Sequence, residues 1–384
     1  MTGVGSDSFA ALARELEALF ARGVGRALAD DEFNHWALRV FRWQVASNAA
    51  YRGYCAGRGA TPASVTGWED VPPVPTSAFR HVRLLSLEPS KGPEAVFRTS
   101  GTTRGEGGRG EHPVASLALY RAALLPAFRA HVVPDQGHLP GRLPVLSLIP
   151  SADDAPHSSL SYMIVTAMSE WGDERSAWLA GGDGALDEAR LVSALRGVEA
   201  AGRPVLLAAT AFALVHALDL LARGDTRVTL PQGSRLLETG GFKGRSRAVE
   251  RDQLYAAVQA RLGIPEHRIV NEYGMTELLS QFYEPVISAP AAAAAPLAER
   301  FHVAPPWVRT RVLDPVTLAP LADGSPGLLC HHDLANAGSV ACVLTEDLGV
   351  AVPGGFRVLG RVAGAEPRGC SLAAEELLRA VPGR

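Results

Sequence analysis

The run Arg98-Thr99-Ser100-Gly101-Thr102-Thr103-Arg104-Gly105 sets four hydroxyl groups, two glycines and two guanidinium groups within eight residues. It follows Val96-Phe97, so a strand opening into a hydroxyl-rich loop is predicted. Successive N–H groups and hydroxyls in such a loop converge on one anion, and glycine lets the backbone come close to it. Polyphosphate is the chemistry that fits, which implies a nucleotide. Taken alone, the same residues also describe a solvated Ser/Thr/Gly turn.

Two further stretches carry compatible chemistry. Asn271-Glu272-Tyr273-Gly274-Met275-Thr276-Glu277-Leu278 follows the apolar pair Ile269-Val270 and is expected to lead into a helix. Thr276 would then sit at a helix N-terminus, where unpaired N–H groups favour an anion. Glu277 has the hard oxygen donors that Mg²⁺ prefers beside phosphate. Tyr273 offers a face for a base. The bland alternative is a strand–turn–helix junction capped by threonine. The third stretch is Leu344-Thr345-Glu346-Asp347-Leu348-Gly349, followed by Gly360-Arg361. A carboxylate there can accept both ribose hydroxyls, and the arginine can reach the same sugar or a phosphate. Among 37 basic residues only Lys91 and Lys243 are lysine. Lys243 lies in Gly240-Gly241-Phe242-Lys243-Gly244, where a compact, tunable ammonium has a use.

Elements must position these groups. Helical spacing of Phe9, Leu12, Leu16 and Leu19, and of Phe33, Trp36, Val40 and Trp43, predicts two opening helices with both tryptophans in the core. Apolar strands around 144–149, 205–207 and 235–237 alternate with helices around 115–131, 161–171, 186–201, 214–222 and 247–262. Such alternation implies parallel sheets with helices on their faces, and ligands beyond the carboxyl ends of the strands. The loops at 151–154, 209–210 and 238–241 should therefore face one cleft. The alanine run 291–295 reads as a surface connector, and four apolar runs between 308 and 359 as a small antiparallel sheet or partial barrel.

With 384 residues, two or three subdomains are expected. A net charge of −3 argues neither for nucleic acid nor for an anionic membrane surface as a partner, and neither is expected. Four irregularly spaced cysteines point to a reducing compartment, and neither a signal peptide nor a membrane span is read, so the cytoplasm is expected. Cys330-His331-His332-Asp333 has metal-ligand residue types, but adjacent strand residues face opposite ways, so a core cysteine with flanking surface histidines is the expectation. Cys55 and Cys342 are expected to be buried.

The order Thr-Ser-Gly-Thr-Thr near 100, Tyr-Gly-Met-Thr-Glu near 275, Thr-Glu-Asp-Leu-Gly near 345 and Gly-Arg near 360 resembles the adenylate-forming superfamily of acyl-CoA synthetases and luciferases. The resemblance covers about residues 65–375. Within the superfamily the chain looks most like the acyl-protein synthetases of the bacterial-luminescence fatty-acid reductase complex. Trp68 to Phe79, Pro156-His157-Ser158-Ser159-Leu160, Glu238 to Gly244 and Arg368-Gly369-Cys370-Ser371 carry that likeness.

The resemblance implies an α/β fold: an adenylate-forming large domain of alternating strands and helices at 65–360, with a β-rich subdomain at about 300–360. A helical segment at 1–64 would precede it, and a truncated lid at 361–384 would follow. It implies that Thr99, Ser100, Gly101, Thr102 and Thr103 hold the phosphates of ATP. Gly240, Gly241, Glu272 and Tyr273 would line the adenine pocket, with Gly274 in the same nucleotide-binding stretch. Thr276 would stand at the α-phosphate, Glu277 on Mg²⁺, and Asp347 and Arg361 at the ribose. His157, Thr210 and Phe212 would border the acyl group, and Cys370 would accept it. Arg361 and Arg368 would favour its thiolate, and Gly369 with a short tail would let it swing.

Two departures stand out. The lysine usual after the phosphate loop is replaced by Arg104-Gly105-Glu106-Gly107-Gly108-Arg109. A lid of on the order of 100 residues with its own lysine has no room after 361. Lys243 and the loop arginines are the candidate cations. The expected activity is activation of a carboxylic acid, a fatty acid by the resemblance, to acyl-AMP and transfer to Cys370, for a partner such as an acyl reductase. A CoA or carrier-protein ligase, and a non-catalytic adenylate-binding scaffold, are the alternatives.

Overall fold

A computed structural model describes residues 8–99, 108–139, 141–240, 249–362 and 367–381. Helix α1 (Phe9–Phe20) is capped by the Ser8 hydroxyl, which accepts from the Ala11 N–H, and buries Phe9, Leu12, Leu16 and Phe20. Helix α2 (Asp30–Ser47) opens on Asp30, Asp31 and Glu32, the charge that suits a helix N-terminus, and buries Phe33, Val40 and Phe41. Asn48 then caps α3 (Ala49–Gly57). Strand β1 (Val74–Pro75) follows, then the antiparallel hairpin of β2 (Ala95–Arg98) and β3 (Glu111–Val114). Helix α4 (Leu117–His131) comes next.

The middle of the chain alternates as its apolar runs predict. The order is β4 (Val145–Ser147), α5 (Ser159–Trp171), β5 (Ala177–Trp178), α6 (Glu188–Ala201), β6 (Leu206–Thr210), α7 (Ala211–Arg223), β7 (Arg235–Thr239), α8 (Arg251–Leu262) and β8 (Ile269–Tyr273). Strand β9 (Phe282–Tyr283) and the short helix α9 (Pro290–Ala294) follow, so the alanine run is helical rather than a plain connector. Strands β10 (Val308–Leu313), β11 (Gly327–Asp333), β12 (Cys342–Val352) and β13 (Gly355–Arg361) precede the last described helix, α10 (Arg368–Arg379). None of the described helices is long and apolar enough to cross a membrane.

Two compact units result. The first comprises Met1–Pro126, Met275–Gln281 and Val303–Arg384. Its main sheet runs β1-β12-β11-β10, with β13 also on β12; the β10, β11, β12 and β13 pairings are antiparallel and β1 is parallel to β12. This is the small antiparallel sheet expected near the end of the chain, joined by one strand from much earlier. Trp307 stacks obliquely on Phe20, with ring centroids 4.7 Å apart.

The second unit comprises Ala127–Gly274 and Phe282–His302. Its sheet runs β5-β4-β6-β7-β8-β9, parallel through β8 and antiparallel at β9. Leu146, Leu207, Leu236 and Ile269 on the strands pack against Leu214, Leu218, Leu254 and Val258 on the helices. Leucine and valine on both faces of the strands are what helix-covered parallel sheets require. The architecture is the α/β fold expected from the sequence.

Candidate functional site

In the second unit β4, β6, β7 and β8 are parallel neighbours, so their carboxyl ends share one edge of the sheet. The chain leaves β4 toward β5 on one side and returns to β6 on the other. The gap between β4 and β6 is thus a topological switch point, where such sheets bind ligands. Thr210 ends β6 and caps α7 at once, its Oγ1 accepting from the Ala213 N–H at 3.1 Å. Phe212 is half-buried one residue into that helix. His157 is exposed in the turn before α5, the helix that follows β4.

Gly240 leaves β7 with φ of 71°. On the neighbouring strand, Glu272 lies opposite Thr239 and hydrogen-bonds its hydroxyl. Tyr273 is half-buried, its ring 5.7 Å from Phe282 and 5.9 Å from His302. A β-carbon on Gly274 would lie 2.2 Å from Oε1 of Glu272, so glycine is what this carboxylate tolerates there. Gly240, Glu272, Tyr273 and Gly274 are therefore brought together at two adjacent strand ends.

A buried polar network supports those ends. Glu238 accepts from the Asn271 amide and from the Tyr255 hydroxyl at 3.2 Å, and Asn271 Oδ1 lies 2.8 Å from Nε2 of His302. Burial pushes the Glu238 carboxyl up to about 7, against the opposing pull of its donors. Burial, with the Arg251 charge, lowers His302 to about 3.

In the first unit, the hairpin that opens the phosphate-type loop is closed by Thr99. Its N–H donates to the Gly110 carbonyl at 2.9 Å, and its hydroxyl accepts from the Gly110 N–H at 2.8 Å. Two residues on, His112 is fully buried, with Nδ1 2.7 Å from the Thr276 carbonyl oxygen. Burial lowers His112 to about 4, although that hydrogen bond favours its charge.

No helix begins at Thr276. Residues 274–281 are irregular, with a turn at 276–277, which corrects the expected helix N-terminus. Asp333 takes up N–H groups that a helix would have used: its Oδ2 accepts from Leu279 and Ser280, and its Oδ1 from the Ser280 hydroxyl and the Ala335 N–H. The Asn336 amide donates to the Glu277 carbonyl at 2.8 Å, and the Glu277 side chain is buried. Burial raises Asp333 to about 6, opposed by those donors.

Asp347 and Arg361 face each other across β12 and β13, with Nε 3.3 Å from Oδ1. The register shifts between Leu348 and Gly349, which leaves Leu359 unpaired, and Gly360 takes φ of 124°. Such a bulge re-aims the next side chain, here Arg361. Burial opposes the Arg361 charge, but the carboxylates of Asp347, Glu346 and Glu277 hold its pKa above the usual value. Asp347, Arg361 and Glu277 thus share one electrostatic neighbourhood.

Cys370 differs most from expectation. It is fully buried in the first turn of α10, with Sγ 3.8 Å from the Thr345 carbonyl oxygen. The expected swinging tail is a helix whose buried side holds Gly369, Cys370, Ala373, Ala374 and Leu377. The position is informative nonetheless, because Thr345 is two residues from Asp347. His331 and His332 are buried as well, not surface residues as expected, since β11 is covered on both faces. Among the described residues no three His, Cys, Asp or Glu side chains come together as metal ligands. Ser100, Gly101, Thr102, Thr103, Gly241 and Lys243 lie outside the described residues. Nothing in the sequence singles out His112 or Asn336, and Asp333 stands out there only as a metal-ligand residue type, not as the acceptor that organises residues 279 and 280.

Residues 182–379 match the family described as acyl-protein synthetase, LuxE. A long-chain-fatty-acid–luciferin-component ligase of Vibrio harveyi is 25% identical over 323 residues, 81% of this chain and 77% of that protein. The protein so described from Aliivibrio fischeri is 48% identical over 52 residues, 14% of each chain. Among solved structures, a 2-hydroxyisobutyryl-CoA ligase in an open conformation with 2-HIB-AMP and CoA superposes with a TM-score of 0.61 at 15% identity, covering 87% of this chain and 75% of that one. Its postadenylation state gives 0.60 at 15% identity, covering 87% and 68%. These likenesses are of fold.

Proposed function

Because the chain belongs to the acyl-protein synthetase LuxE family of adenylate-forming ligases, we propose that it activates a long-chain fatty acid with ATP and carries the acyl group on Cys370. The fatty-acid carboxylate attacks the α-phosphorus of ATP; one P–O bond forms, the α–β bridging P–O bond breaks, and pyrophosphate leaves. The Cys370 thiolate then attacks the acyl carbonyl. The thiol has lost its proton to water before this attack; a C–S bond forms, the C–O bond to AMP breaks, and AMP leaves as its anion.

Each residue has a place in this scheme. Thr99 to Thr103 and Thr276 hold phosphates, and Gly240, Gly241, Glu272, Tyr273 and Gly274 receive adenine. Asp347 and Arg361 hold the ribose, and Lys243 supplies a cation to the reacting phosphates. His157, Thr210 and Phe212 border the acyl chain. Glu277 would hold Mg²⁺, which when bound neutralises phosphate charge; its buried carboxylate offers the oxygen donors this requires. From Cys370 the acyl group would go to a partner such as an acyl reductase.

One observation carries the cysteine reading: Cys370 Sγ lies 3.8 Å from Thr345, in the motif that bears the ribose carboxylate Asp347. A thiol beside this motif is close in the chain's fold to the proposed ribose residue. Lifting the first turn of α10 would free it to meet an acyl adenylate, an anhydride reactive enough that proximity is the main requirement for thioester formation. Incubation with ATP and a radiolabelled long-chain acid should leave a hydroxylamine-labile label on the protein. Cys370→Ser should abolish the label and keep acid-dependent pyrophosphate exchange. Label persisting in Cys370→Ser would move the acceptor elsewhere, and acyl-CoA formed without any protein-bound label would favour a CoA ligase.

A further inference from the structure

His112 lies outside every role assigned above, yet it ties the phosphate-loop hairpin to Thr276. Its Nδ1 is 2.7 Å from the Thr276 carbonyl oxygen. A carbonyl only accepts, so Nδ1 carries the hydrogen and Nε2 presents a lone pair. That Nε2 is buried and has no hydrogen-bond partner among the described residues. Phe79 meets the imidazole edge-to-face at 5.6 Å and holds the ring in place.

A purely packing side chain does not account for these facts. An inward position on β3, followed by the buried Pro113 and Val114, would accept valine or leucine without burying a polar atom. A buried acceptor left without a donor costs stability. What histidine offers in exchange is a donor at one defined point. Beyond Thr276 the segment is already anchored, by Asn336 on the Glu277 carbonyl and by Asp333 on Leu279 and Ser280. Two residues before His112, just ahead of β3, Gly110 is locked to Thr99 by two hydrogen bonds. His112 therefore joins two rigid anchorages, one at the mouth of the phosphate-type loop and one beneath Thr276.

We propose that His112 is a positioning residue, whose Nδ1–H fixes the Thr276 peptide in register with Thr99 so that both engage the same polyphosphate. The inference rests on the adenylation reading given above. Its effect falls on the step in which the adenylyl group passes to the carboxylate and pyrophosphate leaves, because a misplacement of about 1 Å near reacting atoms can cost on the order of 100-fold in rate.

The amide nitrogen of asparagine can stand where Nδ1 stands, whereas that of glutamine reaches the place of Nε2. His112→Asn should therefore keep kcat for acid-dependent ATP–pyrophosphate exchange within about 3-fold of wild type. His112→Gln and His112→Phe should lower it by about 30-fold or more, with KM for the acid and the melting temperature near wild type. Gln and Phe variants that melt normally and retain wild-type kcat would overturn the proposal, as would an Asn variant that melts normally and is as slow as Phe. Imidazole ¹⁵N shifts of the wild-type protein provide a reading that needs no variant. A neutral Nδ1–H tautomer at His112, with a shift that moves on adding a non-hydrolysable ATP analogue, is expected; an Nε2–H tautomer or an unmoved signal overturns it. Wild-type protein that exchanges pyrophosphate with no carboxylic acid would instead refute the adenylation reading and leave the tautomer result standing.

Discussion

At Gly274 a single added carbon would stand 2.2 Å from the Glu272 carboxylate that Thr239 holds in place. Gly274→Ala must push that carboxylate away or bend the backbone ahead of Met275. Since Glu272 and Tyr273 are the proposed adenine residues, pyrophosphate exchange should fall by about 100-fold, while stability falls by only about 1–3 kcal/mol. Unchanged exchange in a folded Gly274→Ala protein would remove Glu272 from the site. The Asp347–Arg361 pair calls for the opposite balance. The Arg361 side chain is largely exposed although Asp347 is not, and an ion pair with one partner in solvent contributes little to stability. Asp347→Asn should thus leave the urea midpoint in place and raise KM for ATP by about 10-fold; a shifted midpoint with unchanged KM would make the pair structural. Residues of this kind were legible in the sequence, because Asp347, Arg361, Glu272 and Tyr273 sit in motifs whose order is distinctive. His112 was not, since Glu111-His112-Pro113-Val114 looks the same whether the imidazole faces water or Thr276.

At the scale of elements, what decided legibility was how local the stabilising contacts are. Strands β4, β6, β7 and β8 bury their apolar residues against adjoining helices, and their runs announced them. The helix expected after Tyr273 failed for a non-local reason: its N–H groups are claimed by Asp333, more than fifty positions later, and no local pattern reports that. Helix α10 is the converse case. Cys370, Ala373, Ala374 and Leu377 recur at helical spacing, but the glycine in Arg368-Gly369-Cys370-Ser371 suggested a hinge. Gly369 in fact lies where a β-carbon would meet Leu318 Cδ2 at 2.6 Å, and its N–H donates to the Pro315 carbonyl at 3.0 Å. Farther along, Arg58 pairs with Glu376 at 2.7 Å. Gly369→Val should therefore lift the first turn of α10 and leave its far end seated. Iodoacetamide should then alkylate Cys370 at least about 10-fold faster than in wild type, while Cys55, Cys330 and Cys342, all buried, stay protected. Peptide mass spectrometry reads all four sites together, and equal protection of Cys370 in both proteins would show that α10 tolerates the substitution.

For the molecule as a whole, the buried titratable groups set the response to pH, and they pull in opposite directions. Burial lowers His112 to about 4 and His302, His331 and His332 to about 3. Below the unfolded value near 6.5 the unfolded chain binds protons that the folded one refuses, so each histidine withdraws stability as pH falls, by roughly 2 kcal/mol between pH 7 and pH 5. Glu238 at about 7 and Asp333 at about 6 do the reverse. Their folded forms keep a proton that the unfolded chain has lost, so stability rises as pH falls through their folded values, by roughly 1–2 kcal/mol each over the same interval. Burial also lowers His131 to about 4 and raises Glu284; the five histidines outweigh the three carboxyls, and the urea midpoint should drop between pH 7 and pH 5. Glu238→Gln removes one opposing contribution, so the drop should become steeper by about 2 kcal/mol. Urea titrations at pH 5, 6 and 7 on both proteins measure this, and a shallower drop in Glu238→Gln would mean that Glu238 is ionised among Asn271, Tyr255 and Arg251 in the folded state.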